Sequence, residues 1–114
     1  MSLKNIVKPI LLTAFDSATL SAVFQPINPT GTEAACFLIR INNDSTEAVF
    51  ISFDGVNEHD FVASGALLEL PLQTNRGPVN QAAYLAQGTI IYVKEVTTAG
   101  TGDIFLSGYF QPTS

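Results

Sequence analysis

The residues best suited to chemistry gather in one stretch, Asp54-Gly55-Val56-Asn57-Glu58-His59-Asp60. Its carboxylates, Asp54, Glu58 and Asp60, together with the Asn57 amide, are the hard oxygen donors that a calcium ion takes. The spacing departs from an EF-hand loop, where acceptors alternate ahead of a glycine. The competing reading is local. Asp and Asn favour turns because their short side chains bond their own backbone, and Asp-Gly is a favoured pair where φ must be positive. The stretch is therefore read as a solvated turn, with a cation at Asp54, Glu58 and Asp60 as the alternative, and no metal or cofactor is expected.

His59 carries an imidazole able to act as a general base. No nucleophile or companion motif accompanies it, so it reads as a surface histidine. Cys36 is the only cysteine, which excludes an intrachain disulfide. It lies in the apolar run Ala35-Cys36-Phe37-Leu38-Ile39 and reads as a buried, inert thiol, in keeping with synthesis in a reducing cytoplasm. No G-x-S-x-G, H-E-x-x-H or phosphate-binding loop occurs. Thr97 to Gly102 contains glycine but joins two strands, as a flexible hairpin loop, and has no helix N-terminus to hold phosphate. Arg76 and Lys94 are isolated positive charges suited to solubility or an interface. Nothing here assembles a catalytic site, and the chain is expected not to be an enzyme.

The elements that would position these residues follow a period of two. Leu20, Ala22 and Phe24 alternate with polar residues in 18–25. Phe37, Ile39 and Ile41 do so in 35–42, with Arg40 outward. Ala66, Leu68, Leu70 and Leu72 alternate with Glu69 and Gln73, and Ile104, Leu106 and Phe110 with Asp103, Ser107 and Tyr109. Alternation of this kind marks antiparallel strands with one buried face. Segments 48–53 and 89–96 are apolar on both faces, so they sit centrally or show the second face to a partner. Asn42-Asn43-Asp44-Ser45 reads as a turn, and Pro71 either places its strand at a sheet edge or points its missing donor outward. Only 80–88 hints at a helical turn, with Asn80 as cap and Gly88 as stop.

With strands near 6–15 and 58–62 the count reaches about eight. This points to an all-β antiparallel sandwich, jelly-roll-like, with an immunoglobulin-like sandwich as the alternative. Its 114 residues make one domain, 1–114, with residues 1–9 as an extended N-terminal arm.

Composition narrows the function. Charged residues make up only 13%, about half the usual share, while Thr, Ser, Asn and Gln together supply 31 residues. The net charge of −5, without a Lys/Arg cluster, argues against nucleic acid as a partner. No run of 18 apolar residues is present, so no membrane-spanning helix is expected, and the first 14 residues lack the apolar stretch of a signal peptide. A neutral exterior suits close packing against other proteins, since interface cores are depleted in Lys, Glu and Asp. Candidate contacts are Lys4 and Lys8 in the arm and the outward or loop tyrosines Tyr84, Tyr92 and Tyr109, whose rings would also stack on sugars.

One block is more informative. Ile41-Asn42-Asn43-Asp44, then Val49-Phe50-Ile51-Ser52-Phe53-Asp54-Gly55, then Gly88-Thr89-Ile90-Ile91-Tyr92-Val93-Lys94 and Gly108-Tyr109-Phe110, resembles small β-rich virion proteins of tailed bacteriophages. The likeness spans roughly residues 39–110. In size and expected sandwich the chain is similar to capsid decoration (cement or staple) proteins. That resemblance implies a non-enzymatic virion protein, made in the host cytoplasm. It would bind the major capsid protein or other virion proteins as a dimer or trimer and bridge neighbouring capsomers. The alternatives are a head–tail connector or tail component, and a receptor- or glycan-binding module on the virion surface.

Overall fold

A computed structural model describes residues 7–71 and 85–110 of the chain. The order of elements is β1 (Lys8–Pro9), β2 (Thr13–Asp16), a short 3-10 turn (Ser17–Thr19), β3 (Gln25–Pro26), β4 (Leu38–Ser45), β5 (Val49–Ser52), β6 (Asp60–Val62), β7 (Leu67–Pro71), β8 (Tyr92–Glu95) and β9 (Gly102–Phe110). All pairings are antiparallel.

The strands form two sheets. In the first, β1 and β2 pair successive stretches of β9, followed by β4 and β7; in the second the order is β3-β8-β5-β6. Apart from the steps β1 to β2 and β5 to β6, each connection passes from one sheet to the other. This is jelly-roll connectivity, two Greek keys folded over one core. The last strand of the first sheet lies between β2 and β4, which sets the fold apart from the immunoglobulin-like alternative.

Alternation fixes what lies between the sheets. Ile39 and Ile41 of β4 and Ile104 and Leu106 of β9 face Val49 and Ile51 of β5 and Val93 of β8, all fully buried. Each such side chain contributes about 1.5–3 kcal/mol by leaving water. Ile91 and Cys36 complete this layer, and burial pushes the Cys36 thiol up from its ordinary pKa. Leu68 and Leu70 point inward from β7, which is an edge strand ending at Pro71. A proline at such an edge leaves no ladder donor missing inside the sheet. The two-faced segments are central: β5 lies between β8 and β6, and β8 between β3 and β5.

Several expectations need correction. Asn42 to Ser45 is not a turn but the end of β4, paired through Asn43↔Ile104 and Asp44↔Asp103. Asn43 takes the next inward position after Ile41 and is fully buried. Its amide nitrogen donates to the carbonyls of Glu47 (2.9 Å), Val62 (3.1 Å) and Ala63 (3.2 Å), and its oxygen accepts from the Ser45 N–H and hydroxyl. A buried amide with both ends used ties β4 to the chain leaving β6.

Segment 18–25 is not a strand until Gln25. Asp16 Oδ1 caps the 3-10 turn at Ala18 N–H (3.0 Å), and Gln25 Nε2 donates to Thr19 O (3.1 Å) and Ser21 Oγ (2.9 Å). These local side-chain bonds take the place of a ladder. Phe37 lies just outside β4 and is half-buried. Thr97 to Gly102 is no hairpin, since β8 and β9 belong to different sheets. The loop packs down instead: Gly100 N–H donates to Ser17 O, and a Cβ at Gly100 would strike Thr46 and Glu47.

At the N-terminus, Lys8 and Pro9 are not a free arm but pair with Phe110 and Tyr109. In 80–88, Leu85 bridges Cys36 and a turn follows at Gly88, with φ of 84°. Residues 1–6, Leu72, Gln73, Arg76 and Tyr84, and with them most of the arm and the start of the helical hint, lie outside the described residues.

Candidate interaction surface

Part of the outer face of the four-stranded sheet is covered by the chain itself, while Phe61 on it is 53% exposed. Ser52 points outward, yet it is fully buried, because the turn 53–59 roofs it. The turn is held by Asp54. Its Oδ1 accepts from the N–H groups of Val56 and Asn57, both at 2.8 Å, and from Ser52 Oγ at 2.9 Å; Oδ2 accepts from Asn57 Nδ2 at 2.7 Å. The Asn57 N–H, then that of Val56, hold the Asp54 carboxyl well below the usual carboxylate range. His59 closes the turn: its N–H donates to Ile51 O (2.8 Å) and its Nδ1 accepts from Phe53 N–H (2.9 Å). Gly55, at φ of 79°, lets the backbone pass under Tyr92, whose ring lies 3.2 Å from where a Cβ would sit.

Beside this roof runs an aromatic row. Phe61 is paired across from Phe50, and Phe50 from Lys94. The two rings meet edge to face at 6.0 Å between centroids. The Lys94 ammonium lies 4.7 Å from the Phe24 ring centroid and 5.5 Å from that of Phe50, and forms a 2.8 Å ion pair with Glu58. The cation is thus shared by two rings and a carboxylate.

The three carboxylates proposed for a cation are therefore spread over separate tasks. Asp54 folds the turn, Glu58 holds Lys94, and Asp60 begins β6 opposite Ile51. Among the described residues no group of three acidic, histidine or cysteine side chains is spaced to hold a metal ion. Lys94, expected to be an isolated charge, is paired.

The outer face of the five-stranded sheet differs. Alternation places Leu38, Arg40, Asn42, Leu67, Phe105, Ser107 and Tyr109 on it. The register sets Leu67, Asn42, Phe105 and Ala14 in one row and Pro71, Leu38, Tyr109 and Pro9 in another. Between them Arg40 Nε lies 3.2 Å from Glu69, with its hydrogen misaligned for a bond. A depression of about 340 Å³ opens among Leu12, Arg40, Asn42, Leu67, Phe105 and Ser107. Leu12 and Leu67 are 57% and 47% exposed at its rim, and Leu11 beside them is 80% exposed.

At one end of this face stands a second row that no single strand reveals. Asp103 of β9 is paired across from Asp16 of β2 on one side and Asp44 of β4 on the other. Three like charges thus occupy directly opposed positions, where side chains lie about 5 Å apart.

Of the residues proposed as contacts, Tyr109 lies on this open face, half-buried between Pro9 and Leu38. Tyr92 belongs to the roofed face and packs on Gly55. Lys8 is exposed at the sheet edge, and Lys4 and Tyr84 lie outside the described residues. Sequence reasoning missed Asn43, although the alternation of Ile39 and Ile41 continues to it. It also missed the aspartate row, which only the register brings together. Comparison with protein-family models, curated proteins and solved structures finds no match.

Proposed function

We propose that this chain is a structural virion protein that coats and stabilises a bacteriophage capsid, with the major capsid protein as its partner. The observation that carries the reading is the open outer face of the five-stranded sheet. It is broad, with apolar and neutral residues around an indentation between Leu12, Leu67 and Phe105, and it ends in the row of aspartates Asp16, Asp103 and Asp44. It carries Arg40 as its single basic group among the described residues.

Contact surfaces of this kind bury apolar and neutral polar area with few long charged side chains at the centre. The jelly roll supports the reading because capsid proteins use it, though lectins do as well. Seated across the junction of two capsomers, the protein stabilises the assembled lattice by binding it and not the free subunits.

The test is association with purified particles. Wild-type protein added to particles lacking it is expected to bind in hundreds of copies, counted by quantitative mass spectrometry, and to raise their melting temperature. The double variant Leu67→Asp/Phe105→Asp should fold and fail to bind. A count of about a dozen copies would instead assign the protein to the head–tail connector, where a single ring sets the number. Unimpaired binding by the double variant would show that the open face is not the contact.

A further inference from the structure

Apart from the cap that Asp16 supplies, the aspartate row on the open face has no partner among the described residues. Asp16, Asp103 and Asp44 stand side by side across three adjacent strands. Like charges directly opposite one another destabilise a sheet. The ion pairs among the described residues are Arg40–Glu69, His59–Asp54 and Lys94–Glu58, and none of them reaches this row. Asp16 Oδ1 caps the following turn, while Asp44 and Asp103 are not drawn into such a local bond among the described residues. The row adjoins the apolar row of Ala14, Phe105, Asn42 and Leu67, so charge and depression form one continuous surface.

We propose that the open face docks a basic segment of a partner protein. In this arrangement, lysine or arginine side chains oppose Asp16, Asp44 and Asp103, and an apolar side chain fills the depression at Leu12, Leu67 and Phe105. This deepens the capsid reading and rests on it for the identity of the face. The choice of occupant follows from charge complementarity. Among the described residues, four carboxylates on the face, Asp16, Asp44, Asp103 and Glu69, stand against the one guanidinium of Arg40. A second copy presents the same aspartates on a chain of net charge −5 and would be repelled. A nucleic acid would be repelled for the same reason. A basic protein segment removes the repulsion on binding, so the electrostatic gain appears only in the complex.

The isolated full chain tests this without particles, so that its failure and the failure of the capsid reading are separable. The probe is an acetylated and amidated pentapeptide alternating lysine and leucine, with glutamate–leucine and lysine–serine peptides as controls, followed by amide chemical shifts. The lysine–leucine peptide should give saturable shifts at residues 14–16, 42–44 and 103–105 and bind more tightly than either control. Asp103→Asn should weaken it about threefold while raising the melting temperature of the free protein by about 2 °C, because the same change relieves repulsion. Phe105→Ser should weaken the peptide without that gain. The proposal is overturned if Asp103→Asn leaves melting unchanged or lowers it, or if shifts fall equally on the four-stranded sheet. It is also overturned if millimolar calcium chloride saturates the three aspartates and displaces the peptide, which would make the row a cation site.

Discussion

The two outer faces of this sandwich have been treated differently by the same sequence. On the four-stranded sheet most of the polar groups have an internal partner, while Phe61 stays 53% exposed beside a depression of about 360 Å³ at Phe50, Glu58, His59, Asp60 and Phe61. Ser52 is roofed, Asp54 bonds its own turn, and Lys94 is taken up by Glu58, Phe24 and Phe50. On the five-stranded sheet the depression is open, the Arg40–Glu69 pair is misaligned, and three aspartates face one another. The polar groups named on one face are met within the monomer, and those named on the other are not. Unmet interactions are better evidence of a contact than exposed apolar area alone, because scattered exposed apolar residues are normal on any protein.

The contrast can be broken at the point that joins the two sheets. Asn43→Ala removes the amide that ties β4 to the carbonyls of Val62 and Ala63, leaving buried acceptors without a donor. A loss of about 3 kcal/mol is expected, seen as a melting temperature lowered by roughly 15 °C, with both faces affected together.

Gly55→Ala acts on the four-stranded face alone. It forces a Cβ into a left-handed backbone position beneath the Tyr92 ring, at about 1–2 kcal/mol. Amide exchange should rise in 53–59 while Asp16, Asp44 and Asp103 keep their shifts.

A paired comparison is finer still. Lys94→Met removes an ion pair and two cation–ring contacts and should cost about 1 kcal/mol in urea unfolding. Arg40→Met, on the open face, removes a pair whose side chains are 39% and 51% exposed and should cost less than about 0.5 kcal/mol. Equal losses would erase the distinction between the faces.

The smallest effect is in pH. Asp54 is lowered in the folded state, chiefly by the Asn57 N–H. Its contribution is therefore complete above the ordinary carboxylate value near 4 and is lost only as pH falls through the lower folded value. Carboxyl carbon shifts should show Asp54 still ionised at about pH 3, and the 53–59 amides unchanged there.

The sequence was legible wherever alternation alone decides the outcome. Ile39, Ile41, Ile104 and Leu106 reveal their face by parity, and Pro71 reveals an edge. Turn composition misled at Asn42 to Ser45, because a buried network can hold Asn and Ser inside a strand when their hydrogen bonds are met. Alternation misled at 20–24, where Ser21, Gln25 and the Asp16 cap bind locally. The aspartate row was beyond reach, since residues 16, 44 and 103 become neighbours only through the register of three strands distant in sequence.

That register has an effect on synthesis. β2 and β4 do not pair with each other; each pairs with β9, which follows the other described strands in chain order. On the ribosome the earlier strands of this sheet therefore emerge without their central ladder. The outer face with its depression at Leu12, Leu67 and Phe105 comes into being only once Gly102–Phe110 has been translated, so a polypeptide that stops short of β9 does not present it.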